Sequence, residues 1–347
     1  ACIILILINS FTFNAFAQSK AKSSTVSKPQ IKKEHIKVFQ EISPDISGIH
    51  FLNLTPGPSE MKKQSRLFTI ASGGTSVGDI NGDGFLDIYV LDAGNNIDAI
   101  RKSQLYINNG NSTFTEKAAE YNLADTGITT HAAFFDYDKD GDLDCYILNN
   151  SFIPVSTLNY SNKRELRDKD WDVAEILKGG GDKLMRNDNG KFVDVSESAG
   201  IFSSLIGFGL GVTVGDVNGD LYPDLYISND FYERDYLYIN NKNGTFSEQI
   251  QGWATHISQS SMGADLADVN NDAFPEIISL DMLPSDPAVL KMSTGEDDYD
   301  LFNSKLREGY SFQYSRNNLQ LNRRSGLFSE TGLYSGIAAS DWSWAPL

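Results

Sequence analysis

A nine-residue acidic pattern recurs four times along the chain and constrains the fold more than any other feature. The copies span residues 79–87, 136–144, 216–224 and 268–276. Each has oxygen-bearing side chains at positions 1, 3, 5 and 9, whereas position 7 has no common side-chain chemistry. Carboxylates packed this closely repel one another unless a cation compensates them, and oxygen ligands are typical of Ca²⁺. The pattern therefore predicts four calcium loops.

The spacing also assigns the ligands of these loops. Side chains would bind from positions 1, 3, 5 and 9, and the backbone carbonyl would bind from position 7. With a bidentate carboxylate at position 9 this gives six oxygens, which is within the range of a calcium shell. Mg²⁺ would require fewer protein ligands. The alternative is four solvated acidic turns without metal. The predicted metal ligands are Asp79, Asn81, Asp83, Phe85, Asp87, Asp136, Asp138, Asp140, Asp142, Asp144, Asp216, Asn218, Asp220, Tyr222, Asp224, Asp268, Asn270, Asp272, Phe274 and Glu276.

The loops are not EF-hands. An EF-hand needs Glu at position 12, and here the residues are Val90, Ile147, Ile227 and Ser279. The segments that follow the loops are rich in β-branched and aromatic residues, which predicts strands rather than helices. Cys145 occupies a core-facing strand position, so we expect it to be structural.

A second pattern accompanies each loop. An apolar strand, an Asn/Gly turn and a strand beginning with Phe recur at 105–116, 184–194, 237–248 and 319–330, which predicts four hairpins. A further tail, at Phe39 with Gly48 and Ile49, has no hairpin of its own. Loop, strand and hairpin together predict an all-β chain of four-stranded antiparallel blades, an incomplete part of a β-propeller ring.

These residues resemble FG-GAP/VCBS repeats, the blades of integrin-α-like propellers. The stretches 130–136, 207–211, 228–235 and 340–344 are similar to secreted bacterial proteins related to cartilage acidic protein, which often carry ASPIC/UnbV domains. The resemblance covers about residues 39–347. It implies a seven-bladed or similar ring with structural calcium and an adhesion or ligand-binding function. Leu221 and Ala273 replace the Gly of the pattern, so we expect weaker calcium binding at the third and fourth loops.

Charge excludes one class of partner. The chain has 347 residues and a formal net charge of −17, and 14 of its 46 acidic residues lie in the four loops. A chain this acidic has no electrostatic attraction for phosphate backbones, so we expect no nucleic-acid partner. Two cysteines are too few for a disulfide framework.

The N-terminus resembles an export signal. Residues 1–17 contain an uncharged apolar run and end in a small-x-small site at Ala15 and Ala17, which predicts cleavage after Ala17. The run is too short to span a membrane. Residues 18–37 predict a disordered linker, and 38–347 the propeller. We therefore expect an exported protein: extracellular, on the cell surface or periplasmic.

The repeat spacing predicts a continuation of the array. The tail Phe precedes the next loop by 22 to 24 residues, so the tail at Phe328 places a fifth loop at about 350–352. We expect the chain to be truncated at its C-terminus.

Function is less constrained by the sequence. Two long connections, about 150–182 and 282–317, carry aromatic residues that either pack onto the propeller or form a recognition surface. His131 is expected to be structural, as are Glu233, Arg234 and Asp235, and no catalytic or organic-cofactor site is assigned. The leading hypothesis is a module that binds a protein or a glycan. The alternatives are a propeller-fold polysaccharide lyase or hydrolase and a purely architectural repeat.

Overall fold

The computed structural model describes residues 41–51, 73–93, 102–154, 157–161, 163–293, 297–344 and 346. The predicted signal 1–17 and linker 18–37, and Phe39 at the start of the tail, lie outside these ranges. Within the ranges, no helix combines the length and apolarity needed to cross a bilayer.

The described residues contain four antiparallel sheets of four strands each. The first contains β1 Thr75–Gly78, β2 Asp87–Val90, β3 Gln104–Asn108 and β4 Phe114–Glu116. The second contains β5 Ile128–Phe135, β6 Asp144–Asn150, β7 Lys183–Asn187 and β8 Phe192–Asp194. The third contains β9 Gly209–Gly215, β10 Asp224–Asn229, β11 Tyr236–Asn240 and β12 Phe246–Glu248. The fourth contains β14 Gly263–Ala267, β15 Glu276–Leu280, β17 Asn318–Asn322 and β18 Phe328–Glu330.

Strand order in every sheet follows the chain, and each strand pairs with its successor within the sheet. The predicted blades and hairpins are therefore confirmed. Because neighbouring strands are antiparallel, the acidic loops and the hairpin turns lie at one end of the sheets, the loop end. The connections between the second and third strands lie at the opposite end, the connection end. A short parallel pair, β13 Ile257–Ser258 with β16 Gln313–Tyr314, accompanies the fourth sheet.

Short helices follow the last strand of each sheet. They are α2 Ala118–Tyr121, α3 Ser196–Ala199, α4 Ile250–Trp253 and α7 Gly332–Ser335, and α1 Pro44–Ser47 precedes the first sheet. In three units the Glu that ends the last strand accepts hydrogen bonds from the helix start and from the third strand. Glu248 Oε1, for example, accepts from the backbone N–H of Ile250 (2.8 Å) and of Leu237 (3.2 Å). The Glu of the hairpin motif thus fixes the exit from three of the four sheets.

The hydrophobic cores lie between consecutive sheets. Tyr89 and Leu105 of the first sheet pack with Cys145 and Ile147 of the second. Tyr146 and Leu148 project from the other face of β6 into a core shared with the third sheet, and a third core joins the third sheet to the fourth. Cys145 is fully buried, as predicted. Each sheet therefore buries its side chains against the next one along the chain.

Close contacts to a backbone carbonyl of the following unit occur after three of the short helices. An added Cβ at Gly48, after α1, would lie 2.5 Å from the carbonyl oxygen of Phe114, and one at Gly200, after α3, would lie 2.8 Å from that of Phe246. Asn122, after α2, donates to the carbonyl of Phe192 at 3.2 Å. Gly48, in the tail at 44–49, thus meets the last strand of the first sheet. Gly200, in the tail that follows the second sheet, meets the last strand of the third sheet in the same way. The tail at 44–49 is therefore equivalent to the end of a preceding unit.

Candidate metal centre

The four acidic loops share one backbone frame. The position-1 carboxylate accepts hydrogen bonds from the N–H groups of positions 5 and 6, and the position-5 carboxylate accepts one from position 7. In the second loop, Asp136 accepts from Asp140 and Gly141, both at 3.1 Å, and Asp140 accepts from Asp142 at 2.9 Å. The same bonds recur in the other three loops. The residues at odd positions are therefore turned toward one another by the backbone.

The position-9 carboxylates lie at the base of the loops and are almost inaccessible to solvent. They are Asp87, Asp144, Asp224 and Glu276. Each accepts the N–H of position 2 and the N–H of an Asn in the third strand of its own sheet; for Asp224 these distances are 3.0 Å and 2.8 Å. Burial raises the pKa of Asp144 and of Asp224 to about 7. A cation in the loop would offset this cost of burying charge.

The hairpin Asn is a loop residue that sequence reasoning missed. Asn108, Asn187, Asn240 and Asn322 occupy this position. Their side-chain amides donate to the position-8 carbonyl of the loop, at 3.1 to 3.2 Å. Their side-chain oxygens accept from an N–H of the hairpin turn. The sequence indicated only a turn at these positions. The signal for a further role was that all four hairpins have Asn at the same place.

Position 6 has a left-handed backbone in every loop. The φ angle is 87° at Gly84, 98° at Gly141, 72° at Leu221 and 69° at Ala273. The third and fourth loops therefore adopt the fold of the first two despite the missing glycines. A side chain in this region costs about 1 kcal/mol, which weakens those loops without changing their shape.

The second loop brings its carboxylates closest together. One oxygen each of Asp136, Asp138 and Asp144 lie within 4.8 Å of one another. Asp138 Oδ1 is buried and has no hydrogen-bond partner among the described residues. Burial and the neighbouring Asp140 raise the pKa of Asp138. An unpartnered buried carboxylate oxygen beside two others fits a hard divalent cation.

The third and fourth loops contain a basic side chain instead. Lys242 Nζ lies 3.3 Å from Asp220 Oδ2, and Arg324 Nη2 lies 3.1 Å from Asp272 Oδ2. Both basic residues come from hairpin turns. In the first loop, Asn81 Nδ2 donates to Asp83 at 2.9 Å. Charge compensation therefore differs among loops whose backbones are alike.

At the connection end, the two long connections meet each other. Arg164 of the first donates to Glu233 at 3.1 Å and stacks on Tyr310 of the second. Tyr160 packs against Tyr232 and Tyr310, with ring centroids 5.0 Å and 5.5 Å apart. These aromatic residues pack the connections onto the sheets. This agrees with the first of the two interpretations from the sequence, in which the aromatic residues are structural.

Other side chains of the second connection face solvent. Helices α5 Pro287–Leu290 and α6 Tyr299–Arg307 belong to it. Val289, Met292, Tyr299 and Phe312 are exposed, Met292 and Tyr299 by about four-fifths. We call these four residues the insertion surface. Two of them are aromatic, and the other interpretation, an aromatic recognition surface at the end opposite the acidic loops, stays a prediction.

The remaining charged candidates are internally paired. His131 Nδ1 accepts the N–H of Val212 at 3.0 Å, and burial lowers its pKa, so it is a neutral link between the second and third sheets. Arg234 binds Glu248 at 2.6 Å. A cavity of about 470 Å³ beside the second sheet is lined by Lys169 and Glu197, which pair at 2.6 Å. These contacts support structural roles.

Comparison with known proteins supports the repeat assignment. Residues 69–147 and 218–279 match the family model of the FG-GAP-like repeat. No curated protein matches the chain. One similar solved structure is that of an Agrocybe aegerita lectin. Its description concerns the structural basis of specific recognition of non-reducing terminal N-acetylglucosamine. It is 15% identical with a TM-score of 0.28, and the match covers 74% of this chain and 64% of that chain.

Proposed function

We propose that the chain, whose residues 69–147 and 218–279 match the FG-GAP-like repeat, is a calcium-stabilised β-propeller module that binds a protein or a glycan. The observation that carries the proposal is that the two ends of the sheets present different kinds of side chain. Acidic loops with a common frame occupy one end. An exposed apolar surface on an insertion occupies the other.

The insertion surface supports the binding role. Exposed aromatic and Met side chains grouped on one segment are characteristic of interaction sites, because their burial in a complex releases water from apolar area. The segment rests on the packed contacts of Tyr160, Tyr310 and Arg164. A rigid base reduces the entropy lost on binding.

A binding screen tests the proposal. The calcium-loaded chain would be applied to a glycan array and to immobilised extracellular proteins, and each hit would be re-measured with the variant Y299S/F312S. We expect affinity to fall at least tenfold, because both exposed rings would leave the interface. The matched control is Leu86→Ser, which removes an exposed apolar side chain at the loop end. Equal affinity of the Y299S/F312S variant and the parent would contradict this location of the site.

We also propose that the protein is exported, on the strength of the apolar run and the Ala15-x-Ala17 site in the sequence. N-terminal sequencing of secreted material is expected to begin at Gln18. Retention of residues 3–8 in the mature protein would contradict the assignment.

A further inference from the structure

We propose that Lys242 and Arg324 are built-in counter-ions of the third and fourth loops, which hold their shape without bound calcium, while the first and second loops require the metal. This inference rests on the proposed calcium-stabilised module. It concerns which loops bind calcium and what replaces the metal in the others.

The two basic residues occupy one structural position. Each stands two residues after the hairpin Asn that binds the loop. Lys242 contacts Asp220 at 3.3 Å and lies 5.7 Å from the ring centroid of Tyr222. Arg324 contacts Asp272 at 3.1 Å, and its guanidinium carbon lies 5.0 Å from the ring centroid of Phe274. In both cases a cation reaches the position-5 carboxylate along the ring of the position-7 residue.

Arg324 makes a second contact with the same loop residue. Its Nη2 also donates to the backbone carbonyl of Asp272, at 2.9 Å. The guanidinium therefore binds a side-chain oxygen and a carbonyl oxygen of the same loop residue. Lys242 offers only a point charge, so its compensation should be the weaker of the two.

The first two units lack a basic residue at this position. Its equivalents are Gly110 and Asn189. The nearby Arg186 is bound to Asp188, at 2.7 and 3.0 Å. The second loop retains the unpartnered Asp138 Oδ1 among its clustered carboxylates. The loops without a basic residue at this hairpin position are also those with Gly at position 6, so two independent features separate the same pairs.

Calcium titration of the metal-stripped full chain tests the inference. Isothermal titration should give about two calcium ions per chain for the parent, and about three for Lys242→Gln or for Arg324→Gln. In EDTA, each of these variants should melt several degrees below the parent, and saturating calcium should remove most of that difference. The matched control is Arg323→Gln, since Arg323 contacts Ser329 and no loop carboxylate.

The reciprocal variant adds a cation to the second loop. Asn189 and Lys242 have φ angles of 55° and 61°, so Asn189→Lys places the new side chain on the same left-handed backbone that Lys242 occupies. It should raise the melting temperature in EDTA and reduce the stoichiometry by one. Four calcium ions bound by the parent, or unchanged titrations in all three variants, would overturn the counter-ion assignment alone. No calcium bound at all would overturn it together with the proposed calcium-stabilised module.

Discussion

At the residue scale, two buried carboxyl groups at the connection end make stability depend on pH. Asp182 accepts hydrogen bonds from the hydroxyl of Tyr146 (2.9 Å) and from the N–H of Asn149 (3.0 Å), and Asp235 occupies the equivalent position in the third unit. Burial raises the pKa of both to about 7, far above the ordinary 3.8. The folded state therefore binds more protons than the unfolded chain between pH 4 and pH 7, so stability falls as pH rises through this window.

The substitution Asp182→Asn isolates this effect. An amide keeps an acceptor for the N–H of Asn149 but does not titrate, and the fourth unit already uses Asn317 at this position. We expect the variant to gain stability relative to the parent as pH rises from 5 to 7.5, by up to roughly 1.4 kcal/mol per pH unit. Chemical unfolding at several pH values measures the difference. Parallel curves for parent and variant would contradict a raised pKa.

Leu221 is strained by its left-handed backbone, and its side chain is three-quarters exposed. Leu221→Gly should stabilise the chain by about 0.5 kcal/mol, because glycine adopts positive φ without a steric penalty. Leu221→Ala is the matched control: it removes the exposed side chain but keeps Cβ, so its stability should stay near that of the parent. Equal denaturation midpoints for the glycine and alanine variants would show that strain is absent.

At the element scale, each loop depends on the hairpin of its own sheet. The hairpin Asn binds the position-8 carbonyl, and its N–H binds the position-9 carboxylate. A calcium ion that stabilises a loop would therefore also stabilise the hairpin bound to it. We expect EDTA to lower the melting temperature, calcium to restore it and magnesium to restore little, because magnesium is bound by fewer protein ligands. Identical melting curves with and without EDTA would contradict a structural role for calcium.

Neutralising the position-5 carboxylate should affect the second and fourth loops differently. Asp140→Asn keeps the acceptor for the N–H of Asp142 but removes charge from a crowded loop. It should reduce the stabilisation by calcium without lowering stability in EDTA. Asp272→Asn should lower stability in EDTA by up to about 1 kcal/mol, because Arg324 loses its partner. Thermal unfolding of both variants with and without calcium measures this, and the same response from both would contradict unequal charge compensation.

At the scale of the whole molecule, stability comes from contacts between neighbouring units. All seven residues of β6 and all six of β10 are buried, whereas β1 is largely accessible. The second and third sheets have a core on each face. In such arrays stability approximates a sum of unit and nearest-neighbour interface terms.

Hydrogen exchange should therefore vary along the chain. We expect the slowest amides in β6 and β10, whose residues are all buried, and faster exchange in β1 and β18, which are partly accessible. Mass spectrometry of exchanged peptides measures the gradient. Uniform protection across the four sheets would instead indicate a single cooperative unit.

Periodicity predicted the four sheets because loop and hairpin motifs are local in sequence and each specifies a turn. The contacts that link motifs were not predictable in the same way. Asn240 resembles an ordinary turn residue until β10 and β11 are adjacent, and Lys242 resembles a solvated charge until the turn places it beside Asp220. The aromatic connections were ambiguous because exposure decides between packing and recognition. Tyr310 is buried and Tyr299 is exposed, and sequence composition does not distinguish them.

The joints between units have a consequence for how such a chain can lengthen. At Gly48, Asn122 and Gly200, the end of one unit meets a backbone carbonyl of the next, that of Phe114, Phe192 or Phe246. A carbonyl is present whatever the side chain is, so the joint requires a short residue on one side and no particular residue on the other. Duplication of a whole unit therefore reproduces a working joint at both of its borders. The surfaces of individual units can then diverge in sequence while their stacking persists.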